Sequence, residues 1–456
     1  MLDGSDIDEV DFSTGGAIDA TDRTETDLIF GGTNMSDTIS PALALGLALA
    51  FAAPARSAEP AEKSSHIHVL TSSARNVKID HFEIDSREAT PRCPIDWSIK
   101  KSTLRGGKQE GVDLIVIDNG KLQIAICPTR GMGILWAKFG DVRLGWDSPV
   151  KEIIDPRFID LQSRGGLGWL EGFNEFLCRC GLEWSGHPGA DRFVNNVGEE
   201  ATLDLTLHGK IANIPASEVE ISVDRDPPYR IHVRGRVDER MFYGPKLELW
   251  TDLSTEPGSN IFRISDTITN QGAGEQEFQI LYHTNFGAPL LEEGATVLVP
   301  IERITPFNAH AAEGIAGFDK YPAPKLGFIE QVYKIKPAAD GEGRTTALLK
   351  NARGDRAASV SFHIKELPYL TLWKNTNAER EGYVTGIEPG TGFPHNRRVE
   401  RARGRVPRLA AGASRTFAID YAVHVGEAEV ESQAARIKAI QGDRKPIVEK
   451  TPEPID

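Results

Sequence analysis

Between residues 201 and 283 six consecutive segments alternate apolar and polar side chains, with turn residues between them and no helical spacing inside them. They cover 201–208, 218–224, 230–238, 246–254, 260–269 and 275–283, and breaks such as Asp226-Pro227-Pro228 and Asn270-Gln271-Gly272 separate them. Strands that follow one another without helices pair as antiparallel meanders. Further segments of the same kind stand at 331–335, 358–364, 370–374, 383–387 and 415–425, and an earlier hairpin at 112–126 turns at Asp118-Asn119-Gly120, where Asn-Gly suits a tight type I′ turn. So many strands exceed one small barrel. The expectation is an all-β fold, an antiparallel sandwich of two broad sheets, and the 44 glycines and 27 prolines supply its turns.

The ends of the 456-residue chain read differently. Residues 1–34 hold nine acidic side chains and one arginine with little periodic hydrophobicity, which is the composition of a disordered leader. Residues 35–63 contain a 13-residue apolar run (41–53) followed by Ala53-Pro54-Ala55, too short to span a bilayer and similar to a secretory signal and linker, although no Lys or Arg precedes it after Met35. Export to the periplasm or medium is expected, with a cytoplasmic protein as the alternative. The domain proper is placed at 64–425. In 426–456 the spacing of Val430, Ala434, Ile437 and Ile440 predicts a short C-terminal helix over 427–441, followed by a tail.

A formal charge of −14 and the lack of a basic cluster argue against a nucleic-acid partner. No P-loop, dinucleotide-binding or H-E-x-x-H motif occurs, so no cofactor and no metal are expected; the four cysteines, with Cys178 and Cys180 one residue apart, lack zinc and redox spacing. The oligomeric state is left open.

Residues 383–396 offer the clearest chemistry. A strand delivers Glu388 into a Pro/Gly turn, and His395 follows in Phe-Pro-His-Asn. Two more histidines end strands and enter Gly/Asn/Pro turns: His208 in Leu-His-Gly-Lys, and His283 in Tyr-His-Thr-Asn285-Phe-Gly. A neutral imidazole and an ionised carboxylate on opposite sides of a small ligand can exchange protons with it near neutral pH. Arg130, in Pro-Thr-Arg-Gly-Met-Gly, is either a ligand clamp or a loop ion pair. The aromatic loop 153–189 adds Trp169, Glu171, Asn174, Trp184 and His187, and Trp169 and Trp184 suit stacking on a sugar face or covering a sheet end.

Several of these stretches resemble known proteins. Asp266-Thr-Ile-Thr-Asn-Gln-Gly followed by Leu281-Tyr-His283-Thr-Asn-Phe-Gly, and Ile387-Glu388-Pro-Gly, resemble the acid- and base-bearing segments of aldose 1-epimerases, the galactose mutarotase-like proteins. Pro128-Thr-Arg-Gly-Met-Gly-Ile, Cys180-Gly-Leu, and Leu207-His-Gly with Asn213 and Pro215-Ala216 resemble the DUF4432 branch more specifically. The likeness runs over about residues 75–425. It implies a galactose mutarotase-like supersandwich with a carbohydrate as ligand and no cofactor. Carried over by position, Glu388 takes the anomeric hydroxyl proton, His283 protonates the ring oxygen, His208 orients the sugar and Arg130 binds a hydroxyl or an acidic substituent; beyond the resemblance, Asn285, Trp169, Glu171, Asn174, His187 and His395 are this chain's further candidate sugar contacts. The departures are an absent Asn-rich approach to the first histidine and the elaborate loop 153–189. Alternatives on the same scaffold are a carbohydrate-binding protein without turnover, a glycosidase pairing Glu388 with Glu171, a lyase using a histidine with Tyr282, and a metal site should the histidines converge.

Overall fold

Alternation becomes pairing in the structure, a computed structural model that describes residues 65–454. The expected leader (1–34) and signal-like segment (35–63) lie outside the described residues. A ten-stranded sheet runs in spatial order Thr296–Leu298, Arg344–Lys350, Arg356–His363, Ser414–Val425, Ile261–Asn270, Lys246–Thr255, Ile231–Arg240, Glu218–Asp224, Ser65–Ser72 and Val77–Lys78. A thirteen-stranded sheet has at its centre Gln331–Pro337, Tyr369–Thr376, Tyr383–Gly390, Gln279–Phe286, Leu177–Leu182 and Gly133–Phe139, side by side in that order. Strands pair antiparallel within both sheets, apart from the short parallel contact of Ile447–Val448 with Ile301–Pro306. This is the expected all-β, two-sheet supersandwich, and its C-terminal helix spans Glu427–Gln441.

Side chains alternate between the faces of a strand, so each strand of the thirteen-stranded sheet serves two environments. One face meets the ten-stranded sheet: Ile280, Tyr282, Phe286, Leu370, Leu372 and Ile387 join Val233, Leu249, Ile264, Val360 and Ile419 in one buried apolar core. The opposite face carries a second cluster in which Cys178, Cys180, Leu281 and Val384 of the sheet meet Trp146, Trp169, Phe173 and Leu207 of the loops. His283 and Glu388 lie on that second face.

The helix buries Val430 and Ile437 against Leu348 and Ala357 on the outer side of the ten-stranded sheet. His424 ties it there, with Nδ1 2.9 Å from Glu429 Oε1 and Nε2 2.9 Å from Ser359 Oγ. A cavity of about 820 Å³ beside the helix contains none of the candidate residues, and both Arg263 and Arg344 on its wall are paired with Asp420.

Two local expectations are corrected. The 112–126 hairpin forms, but its strands Asp113–Asp118 and Leu122–Cys127 close on Asp118↔Gln123, and only Gly120 has positive φ (+89°). Asn119 is wholly buried instead: its Oδ1 accepts from the Lys121 and Leu122 N–H groups, and its Nδ2 donates to Thr255, Glu256 and Ser259, which pulls the turn out of the type I′ form. Glu388 stands within the strand Tyr383–Gly390 rather than in a turn after it, because Tyr369–Thr376 pairs along the whole segment, through Thr371↔Glu388 and Leu370↔Pro389.

Candidate functional site

The register of two neighbouring strands builds the centre of the site. Leu281 pairs with Gly390 and Asn285 with Gly386, which sets His283 opposite Glu388 on one face of the sheet. His283 Nε2 lies 3.3 Å from Glu388 Oε1. That oxygen is nevertheless buried without a hydrogen-bond partner, so the imidazole stands beside it out of line. Gly386 makes the space: a Cβ there would come within 2.1 Å of Glu388 Oε1. On its other side His283 is fixed by Asn285, whose Oδ1 is 2.8 Å from Nδ1 and whose Nδ2 donates to the Glu175 carbonyl.

Rings enclose the pair. Trp169, Phe173, His208 and Trp373 have centroids 5.8, 5.1, 5.2 and 5.4 Å from the His283 ring. His208 is held by the Ser185 carbonyl, 2.9 Å from its Nδ1, and sits in the left-handed region (φ +59°), a conformation that non-glycine residues adopt at some cost and mainly where the surroundings impose it. Trp373 is half-buried and donates through Nε1 to exposed Glu330 (2.8 Å), which forms the rim. The Trp169 indole nitrogen and the Thr371 hydroxyl, cross-strand neighbour of Glu388, are also buried and unpartnered. Three unsatisfied polar atoms in one aromatic pocket are what a hydroxyl-bearing ligand would complete.

Burial governs protonation here. It raises Glu388 well above the usual carboxylate range, with the nearby Glu330 charge adding to the rise. Burial also lowers His283, to about 4, against the opposing bond from Asn285, and it lowers His208 well below the usual histidine value with His283 contributing. Burial thus biases the proton that the pair shares toward Glu388 and away from His283.

The model of the DUF4432 family, a domain of unknown function, matches residues 109–423. The chain belongs to the DUF4432 family. A crystal structure from Klebsiella pneumoniae, of a protein provisionally named an aldose 1-epimerase, shares 42% identity at a TM-score of 0.81, covering 86% of this chain and all of that one (100%). A galactose mutarotase-like protein from Clostridium acetobutylicum matches at 14% identity and a TM-score of 0.50, over 72% of this chain and 98% of its own, a likeness of fold. None of the curated proteins matches.

The other expected site residues of this DUF4432 chain fall into distinct settings. Arg130 is corrected from a ligand clamp: buried, it donates from Nε and Nη2 to Glu175, from Nη1 to Asn213 and the Ile154 carbonyl, and from Nη2 to the Gly172 carbonyl. No donor is left for a ligand, and its work is to shape the aromatic loop. Asn285 touches His283 rather than open space, and Asn174 spends its amide on the Val150 and Glu152 carbonyls. Glu171 is exposed and has no hydrogen bond or ion pair among the described residues, so it is no buried partner for Glu388 in a glycosidase. Tyr282 points into the core, donating to Asp266, which removes the lyase arrangement. Trp184 donates to the Thr206 carbonyl under Lys210, away from the pair. His187 and His395 both lie against Phe307. No group of three or more His, Cys, Asp or Glu among the described residues is arranged to hold a metal, and no described helix is long and apolar enough to cross a membrane. Phe173, Trp373, Glu330 and Phe307 were not singled out from the sequence. Trp373 alone had a signal, an aromatic at a strand position of the 370–374 segment.

The pair also departs from the expected placement on opposite sides of a sugar ring. Its members are direct cross-strand neighbours, because the strands that bear them are adjacent.

Proposed function

We propose that this DUF4432 protein is a cofactor-independent aldose 1-epimerase that interconverts the anomers of a sugar by acid/base ring opening. The observation that carries the reading is the His283–Glu388 pair, 3.3 Å apart with a carboxylate oxygen left unpaired in an aromatic pocket. Anomer exchange needs one proton removed and one supplied at two oxygens bonded to the same carbon, so acid and base must stand close together.

Moving the shared proton from Glu388 to His283 leaves the proton count unchanged and produces the reactive form. Burial makes each partner stronger in that form, Glu388 as a base and His283 as an acid. The Glu388 carboxylate removes the anomeric hydroxyl proton, the bond between the anomeric carbon and the ring oxygen breaks, and the His283 imidazolium protonates that oxygen. The resulting aldehyde rotates. Reclosure returns one proton from Glu388 and takes one onto His283, restoring the reactive form. Asn285 holds the His283 ring, and His208 and Trp169 form the wall against which the sugar lies. His283 and Glu388 are only 5% and 2% exposed, so a sugar enters by displacing the half-buried Trp373 rim.

The test is a screen of free aldoses by exchange NMR, which reads anomer interconversion directly. Acceleration of one or more sugars above the buffer rate is expected. Binding without any acceleration would instead make this a carbohydrate-binding protein.

A further inference from the structure

The site does not end at His208. The Gly186 carbonyl accepts from the His208 N–H (2.9 Å), and the next residue, His187, donates its N–H to the Pro394 carbonyl (3.0 Å). This brings a second group of rings alongside: His395 stacks on Phe307 at 4.1 Å and 13°, and the His187 ring lies 5.3 Å from that of Phe307. Phe307 and His187 are half-buried, whereas His395 is 4% exposed. Neither imidazole has a hydrogen-bond partner among the described residues. Glu330 links the two groups, since it bonds Trp373 beside His283 and its charge also acts on His187.

The segment that carries His395 is firmly built. Asn396 caps the short helix Arg397–Ala402, Arg397 and Arg401 both bind buried Asp191, and Glu400 accepts from the Phe393 N–H. Gly186 fits only because it lacks a Cβ, which would come within 1.8 Å of the His395 carbonyl. A rigid platform with unsatisfied ring nitrogens is a binding surface prepared in advance.

Its charge selects the ligand class. Burial holds both histidines neutral, His395 down to about 3 with Lys334 and Arg405 adding to the shift, so each ring offers one donor and one acceptor. Both buried cations that act on His395 are taken, Lys334 by Glu453 (2.7 Å) and Arg405 by Glu400 (2.7 and 2.8 Å), and the third, exposed Arg403, donates Nη2 to the Pro454 carbonyl. Exposed Glu330 adds a negative charge beside His187. A phosphate or carboxylate would find no buried cation free there, whereas a sugar ring could set its C–H face on the part of Phe307 that His395 leaves uncovered and direct hydroxyls at the imidazoles.

We propose that His187, Phe307 and His395 form a second sugar subsite, so that the substrate is a neutral reducing oligosaccharide with its reducing end at Glu388 and the next residue on this platform. This rests on the aldose 1-epimerase reading for the identity of the first ring, and its test is independent of turnover. Binding is measured by saturation-transfer NMR titration in Glu388→Gln protein, for reducing disaccharides with glucose, galactose or mannose at the reducing end, each beside that monosaccharide. At least one disaccharide should bind about tenfold more tightly than its monosaccharide, the effect of one ring contact and a hydrogen bond. His395→Leu and, should that variant fail to fold, His187→Ala should bring the two affinities within about twofold of each other. Equal affinities in the Glu388→Gln protein, no binding by any sugar, or a preference that survives in a folded platform variant overturns the subsite. A preference lost with the platform while wild-type protein accelerates no anomer exchange would keep the subsite and remove the epimerase.

Discussion

The strand Gln279–Phe286 places two titratable groups back to back, and their surroundings differ. Tyr282 faces the core, where its hydroxyl donates to Asp266 Oδ2 (2.9 Å) and Arg179 closes on the same carboxylate through Nε and Nη2. Arg179 also donates to Thr251 (2.6 Å) and the Met132 carbonyl (2.8 Å). Every charge there is paired. One residue on, His283 faces the aromatic pocket beside a carboxylate oxygen with no hydrogen bond at all. A buried ion pair with all its bonds made serves structure, while a buried carboxylate left incomplete is costly and is kept where a ligand completes it.

The first way to break this contrast is on the core face. Asp266→Ala leaves the Arg179 guanidinium buried and uncompensated, and should lower stability by about 3–5 kcal/mol in a denaturant or thermal melt. A variant that melts like wild type would show that the core pair is no more structural than the pocket pair.

Asn285→Ala sharpens the other side. Without the Asn285 oxygen the His283 ring loses the contact that sets its orientation. The anomer exchange rate at saturating sugar should fall about 10- to 100-fold, as for other groups that orient a reactive histidine, with KM changed less. A loss confined to KM would make Asn285 a sugar contact instead.

The pH profile is the subtlest probe. An exposed Glu and His would lose their shared proton near 6.5, the ordinary value for histidine. Here burial raises the Glu388 carboxyl and lowers His283, so the alkaline decline should follow the ionisation of Glu388 rather than that of the imidazole. On the acid side His283 takes a second proton near 4 and the pair has no base left, so the rate should fall there. An alkaline limb near 6.5 would mean that the pocket is wet.

Much of the fold was legible because strand periodicity depends on local sequence: Glu218–Asp224 and the helix Glu427–Gln441 occupy the residues expected of them. The Asn119 turn was misread because the buried partners of its side chain, Thr255, Glu256 and Ser259, lie far along the chain. His283 and Glu388 could be named from the sequence, but not their adjacency, which depends on strand order. Arg130 looked free for the same reason, since Glu175 and Asn213 reach it only through tertiary packing. Phe307 and Glu330 carry no motif and enter the site only by position.

The central claim is that the pocket face of the sheet performs proton transfer while the core face holds the fold together. Its most direct test is Glu388→Gln beside wild type, with anomer exchange and melting temperature measured on the same preparations. The expected result is a rate lower by about 10²- to 10⁴-fold, the usual contribution of one acid/base group. The melting temperature at neutral pH should be no lower, because a carboxyl with a raised pKa weakens the fold as pH rises above the ordinary carboxylate range, and the amide removes that penalty. Wild-type exchange in a folded Glu388→Gln protein would contradict the assignment.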